Sequence, residues 1–154
     1  MATPSLVLYD VVNDDFAHTG TVPANSSNSA NETHVIPAGE VWLFRLSGFR
    51  PVLQASNQLN ATFTANFNNG VTNVSATIQA FPTAASTTSA YPNPVSGANW
   101  ALGNLGGGMA LIARGGQTMT ITATKGSTTS SAGVLQAATS CAFGYTIEKY
   151  RSSI

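Results

Sequence analysis

The sequence predicts an all-β fold: a β-sandwich, jelly-roll-like, of about eight antiparallel strands with a flexible N-terminal arm. Three observations predict it. Short runs of β-forming residues recur along the chain, apolar and polar residues alternate within several of them, and Gly, Pro, Asn and Ser punctuate the joins. A length of 154 residues suits one domain over 1–154, with an N-terminal strand and extended arm or loop in 1–33 and the main sandwich in 34–154.

Residues 5–12 read as the first strand, on the strength of Leu6, Val7, Leu8 and Tyr9. Residues 13–32 lack periodicity, with Ser26, Ser27, Asn28 and Ser29 in the middle, and read as a long arm or loop. Pro37-Ala38-Gly39 marks a turn between a short strand at His34 and a longer one over 40–46. In the longer strand Trp42, Phe44 and Leu46 share one side while Val41 and Leu43 share the other. A strand apolar on both sides is buried on both sides, by its own domain or by a partner.

Residues 61–67 alternate, with Phe63, Ala65 and Phe67 inward, and Asn68-Asn69-Gly70 supplies a hairpin into 71–81. Residues 82–108 hold three prolines and the run Gly106-Gly107-Gly108, which reads as a long loop of the kind that is often functional. A second hairpin is expected around Arg114-Gly115-Gly116, joining 109–113 to 117–124. Met119, Ile121 and Ala123 then face in, and Thr118, Thr120, Thr122 and Thr124 face out. The closing strand over 140–150 places Cys141, Phe143, Tyr145 and Ile147 on one side. Only 134–138 has the makings of a helical turn, and no fixed-period repeat is visible.

Charge is sparse: 8% of residues, against roughly 25% in an average soluble protein. Six basic residues balance six acidic ones. Arg45, Arg50, Arg114, Lys125, Lys149 and Arg151 are scattered, so no basic patch exists to neutralise phosphates, which argues against nucleic acid as a partner. A near-neutral surface lacks self-repulsion and favours association. No apolar stretch approaches the roughly 20 residues that cross a bilayer. The start, Met1-Ala2-Thr3-Pro4-Ser5, has no basic region followed by an apolar run, so a cytoplasmic site of synthesis is expected.

Catalysis needs a nucleophile beside a base, paired carboxylates or a metal cage, and the sequence offers little of each. His18 and His34 are the only histidines. Asp14, Asp15 and His18 invite comparison with a divalent-ion site but lack calcium-loop spacing, and a solvated acidic turn accounts for them; His34 reads as a turn or pairing residue. No Gly-x-Ser-x-Gly elbow occurs, and the glycine run has neither the preceding strand nor the following Lys of a phosphate loop. Cys141 is the single cysteine, reads as a small buried residue and has no basic neighbour to activate it. The reading is non-enzymatic, with no cofactor and no metal.

Contact residues are more evident. Trp42, Arg45, Arg50, Tyr91 and Trp100 are the candidates for partner contacts, the last two in the proline-rich loop. The same Trp100 and Tyr91, with Asn93 or Asn99, carry the alternative of a carbohydrate-binding module or lectin. A small viral coat protein is the second alternative, although residues 1–33 contain no Lys or Arg with which to package a genome. The threonine rows also invite an ice-binding reading, which a strict repeat would be needed to sustain.

The stretch from Val35 to Leu43 (Val-Ile-Pro-Ala-Gly-Glu-Val-Trp-Leu), Gly115-Gly116-Gln117-Thr118-Met119-Thr120-Ile121-Thr122 and the closing Gly144-Tyr145-Thr146-Ile147-Glu148 together resemble a tailed-bacteriophage head decoration, or cement, protein. The resemblance implies a virion protein made in the host bacterial cytoplasm and seated on the capsid surface. Its partner would be the major capsid protein lattice, which it would clamp as a homo-oligomer, a trimer being favoured. It implies no catalytic residues, and it gives residues 1–32 the part of a reaching arm. With so little charge, such a clamp relies on apolar contacts and backbone hydrogen bonds, strand addition included.

Overall fold

The computed structural model describes residues 5–18, 27–52, 61–80, 109–127 and 140–153. Eight strands run through them: β1 (Ser5–His18), β2 (Ser27–Val35), β3 (Glu40–Val52), β4 (Ala61–Asn68), β5 (Asn73–Ala80), β6 (Ala110–Arg114), β7 (Thr118–Ser127) and β8 (Ser140–Ser153). They form two four-stranded sheets, β1-β8-β3-β6 and β2-β7-β4-β5, and every pair is antiparallel. The all-β expectation is met. The pairing is nested, first with last, second with seventh, third with sixth and fourth with fifth, as if one long ribbon had been wrapped into two sheets.

The expected arm is different. Asn13–His18 continue β1 and Ser27–Val35 form β2, so most of what lacked periodicity is strand. The reason lies in composition: β2 is nearly all polar residues, and its Ser27, Ser29 and Asn31 side chains look outward onto a sheet face that is itself polar. Apolar alternation cannot announce a strand whose inward positions are Ala30, Glu32 and His34.

The expected second hairpin is also different. β6 pairs with β3 and β7 pairs with β2 and β4, so the Arg114–Gln117 turn crosses from one sheet to the other. The turn at Pro37-Ala38-Gly39 crosses between the same sheets, and the two crossings are bonded side by side. Ile36 N–H donates to Gln117 O (2.9 Å), Gly116 N–H to Ile36 O (3.0 Å) and Gly115 N–H to Glu40 O (2.9 Å). Gly39 (φ 82°) and Gly116 (φ 87°) adopt the left-handed backbone these corners need. Gly115 is there for space: a Cβ would lie 2.7 Å from Pro37 O and 2.9 Å from Gly39 N, both backbone atoms. Gly115→Ala is expected to pry the corners apart and cost about 1–3 kcal/mol, read from the denaturant midpoint.

The β4–β5 hairpin forms as expected. Gly70 (φ 84°) turns the chain, and Asn69 holds the loop: its Oδ1 accepts from Val71 N–H (3.0 Å) and Thr72 N–H (2.7 Å), while its Nδ2–H donates to Ile112 O (2.7 Å) on β6. The core lies between the sheets. Phe44, Phe63, Phe67, Phe143, Tyr145, Met119, Ile121 and Ile147 are buried in one cluster, with Val12, Phe16, Trp42 and Val74 packed against it. Phe67 of one sheet meets Phe44 and Tyr145 of the other edge-on, each at 6.2 Å between ring centres. The alternation also carries a charged residue inward, since Lys125 follows Met119, Ile121 and Ala123 and is 1% exposed.

Tyr91, Trp100, the 82–108 loop and the 134–138 turn lie outside the described residues, as do the side chains of His18, Arg50 and Cys141.

Candidate functional site

Four ionisable side chains from both sheets converge at the buried Tyr145 hydroxyl, Glu32 and His34 half-buried and Asp14 exposed. Glu32 and His34 stand two residues apart on β2 and therefore share a side of it. Opposite them, Tyr145 of β8 and Asp14 of β1 reach in from the other sheet. Tyr145 is fully buried. A phenol has one hydrogen, and Glu32 Oε1 at 3.0 Å receives it; Asp14 Oδ2 is a longer neighbour at 3.4 Å. His34 Nε2 lies 3.1 Å from both the Tyr145 oxygen and Glu32 Oε1, so a hydrogen on that nitrogen is shared between them. The imidazole also packs against Phe44, with ring centres 5.5 Å apart.

Burial, and then the neighbouring Glu32 carboxylate, push the Tyr145 phenol far above its ordinary range. The phenol therefore stays protonated at neutral pH and serves as a fixed hydrogen-bonding group that ties the two sheets together. Sequence reading missed this clasp because it took 13–32 for a loop. The Glu32/His34 pairing at a spacing of two was the available signal.

Beside it lies an open depression of about 360 Å³ lined by Asn13, Asp14, Asp15, Ser47 and Tyr145. Asp14 and Asp15 are consecutive on a strand and leave it on opposite sides. The His18 position is four residues beyond Asp14, about 13 Å along an extended chain. The His18 side chain lies outside the described residues, and among those described no three His, Cys, Asp or Glu side chains group to hold a metal.

Of the expected contact residues, Trp42 points inward toward the end of the sandwich. Its indole N–H donates to Glu40 Oε2 (2.6 Å), and Lys149 Nζ sits 4.8 Å from the ring centre. The same Glu40 oxygen accepts from Tyr9 O–H (2.5 Å). These hydrogen bonds, that of Tyr9 foremost, hold the Glu40 carboxyl below its usual range. Arg45 is exposed on the outward side of β3, where its Nε–H donates to Glu148 Oε1 (3.0 Å). Glu148 in turn accepts from Tyr150 O–H (2.5 Å), and that bond, then Arg45, lowers its pKa.

Arg45 and Glu148 lie within an apolar surface. Because Phe44 and Leu46 are buried, Val41 and Leu43 face outward by alternation, half-buried, with Ile112 (45% exposed) beside Leu43. The row continues through Glu148 to Val11 (50% exposed), and a second row runs from Val41 through Tyr150 to Leu8 (47%). Leu6 (54%) extends the surface along β1. The opposite face of the molecule contrasts with it. Ser29, Thr124, Thr64 and Thr77 make one row, Asn31, Thr122, Asn66 and Ser75 the next, and neither carries a charge. Neighbours there bond to each other, as in Ser29–Thr124 (2.7 Å) and Thr64–Thr77 (2.8 Å).

The two outward sheet faces are therefore opposite in character, one aliphatic and one hydroxyl-rich. Comparison with protein-family models, curated proteins and solved structures finds no match.

Proposed function

We propose that this chain is a virion structural protein, a capsid decoration protein that docks the outward face of the β1-β8-β3-β6 sheet on the major capsid protein lattice of a phage head. The outward aliphatic surface of exposed Leu6, Leu8, Val11 and Ile112 with half-buried Leu43 is the observation that carries the reading. A contiguous apolar patch on a chain with zero formal net charge is costly to leave in water and suits permanent cover. Arg45, Glu148 and Tyr150, hydrogen-bonded in a chain across it, give the patch a fixed polar feature that orients a partner.

Nested strand pairing favours a second reading. We read the pairing as jelly-roll-like, an architecture used by viral capsid and lectin domains alike. A coat protein would use the same apolar sheet to build the shell itself. The two readings separate on purification. A decoration protein binds heads already assembled, whereas a coat protein closes into particles alone.

The test is co-sedimentation with assembled heads. The wild type is expected to pellet with them and the Leu8→Lys/Ile112→Lys variant to stay in the supernatant, its affinity lower by at least about tenfold, since burying each aliphatic chain contributes about 1.5–3 kcal/mol. Both positions are exposed, so the variant's melting profile should match the wild type. Equal pelleting of the two proteins contradicts the reading.

A further inference from the structure

We infer that β5 is a self-association edge, where two copies of this chain pair antiparallel about a two-fold axis at Ala76 and fuse their β2-β7-β4-β5 sheets into one of twice the width. This inference stands apart from the virion reading and survives its failure.

Among the described residues each sheet ends in two strands paired on one side, which makes four edges: β1, β6, β2 and β5. Exposed edges invite uncontrolled pairing, and proteins blunt them with bulges, inward charges or shortness. Three of the four carry such devices. β1 breaks register between Leu8 and Asp10 and turns Asp10 and Asp14 inward, toward Lys149 and Tyr145. β2 turns Glu32 and His34 inward. β6 is five residues long.

β5 has none of them. It runs eight residues, Asn73–Ala80, in unbroken register with β4, without a charge, a proline or a glycine. A free strand of this composition is an aggregation hazard, so a defined partner is the economical explanation.

The sequence of β5 selects a second copy as that partner. With Ala76 on the axis, Ser75 falls opposite Thr77 on the outward side at two symmetric places. Hydroxyl thus meets hydroxyl, and the uncharged sequence of β5 brings no like charges to oppose. Two-fold pairing also uses up the edge it creates, closing the assembly where head-to-tail addition would continue into fibres. The outward Ser, Thr and Asn rows then run continuously across both copies.

The register makes the inference testable by charge. In Ser75→Lys/Thr77→Lys, lysines face lysines across the axis at two places. In Ser75→Glu/Thr77→Lys, each glutamate faces a lysine. Light scattering on the purified full chain should give the wild type and the Glu/Lys variant twice the mass of the Lys/Lys variant, whether the latter is a single chain or a trimer. A Lys/Lys variant of wild-type mass overturns the inference, and so does a Glu/Lys variant that dissociates like Lys/Lys. Amide exchange in the unaltered protein gives a second reading. Residues 73–80 should exchange more slowly at high concentration than at low, and concentration-independent exchange counts against the two-fold contact.

Discussion

Phe67→Ala should lower the unfolding free energy by about 3–5 kcal/mol, a large share of the roughly 5–15 kcal/mol that holds a domain folded. Phe67 is fully buried on β4 and is the ring that meets both Phe44 and Tyr145 of the opposite sheet. Its removal takes away buried area and two edge-on aromatic contacts, each worth about 0.5–1.5 kcal/mol beyond area. The surrounding strands are held by ladders on either side, so the space cannot collapse freely and a cavity term adds to the transfer term. Urea unfolding checks it. A midpoint within error of wild type would mean that the sheets are not joined through these rings.

Tyr145→Ala should cost about as much, about 3–5 kcal/mol, and Tyr145→Phe isolates the share of the hydroxyl, about 1–3 kcal/mol. The two variants differ in a way that pH reveals. Folding raises the Tyr145 pKa above its ordinary value of 10.0, chiefly by burial and then by Glu32. The protonated phenol is therefore favoured in the folded state. Its contribution is complete below about pH 10 and is lost as pH climbs beyond that value, because the unfolded phenol can ionise and the folded one resists. Wild-type stability should fall steeply above pH 10 while Tyr145→Phe falls less. Some slope remains in the variant, since Tyr9 and Tyr150 are raised too, Tyr9 by desolvation and then Glu40, Tyr150 by its hydrogen bond to Glu148. Parallel alkaline limbs in the two proteins would remove Tyr145 from the account.

The acid limb has the opposite sign. Glu40 and Glu148 are both held below their ordinary range, each first by a tyrosine hydroxyl. What they contribute is present above about pH 4.5 and is lost as pH falls. Both are solvent-facing and pair near the surface, so this limb is expected to be shallow.

Sequence legibility followed the hydrophobic pattern. Phe63, Ala65 and Phe67, Met119, Ile121 and Ala123, and Phe143, Tyr145 and Ile147 were placed inward by alternation alone and are buried. Where the inward residues are polar, the same rule gave nothing: Ala30, Glu32 and His34 form the inward side of β2, and the segment read as an arm. The turn at Arg114-Gly115-Gly116 was seen but its partner was mistaken. Glycine announces a reversal of direction without saying whether the chain returns to its own sheet or crosses to another, and here only the hydrogen bonds to Ile36 and Glu40 decide it. The doubly apolar character of β3 was legible from Val41 and Leu43, and it led to the outward aliphatic surface. That Ile112, Val11 and Leu8 extend this surface was not, because they come from strands distant in sequence that only the register of β1, β8, β3 and β6 sets side by side. Trp42 shares its side of the strand with Phe44, as alternation predicts, and packs half-buried against the core.

Hydroxyl-radical footprinting of the free chain and of the chain on the particle reads out whether the aliphatic face is covered. Leu6, Leu8, Val11 and Ile112 should be oxidised readily in the free protein and shielded on the particle, while residues such as Val71, 83% exposed on the β4–β5 loop, react alike in both. Equal oxidation of the four aliphatic residues in the two states, or a particle that does not retain the chain, would show that this surface exists for some purpose other than being covered by a protein neighbour.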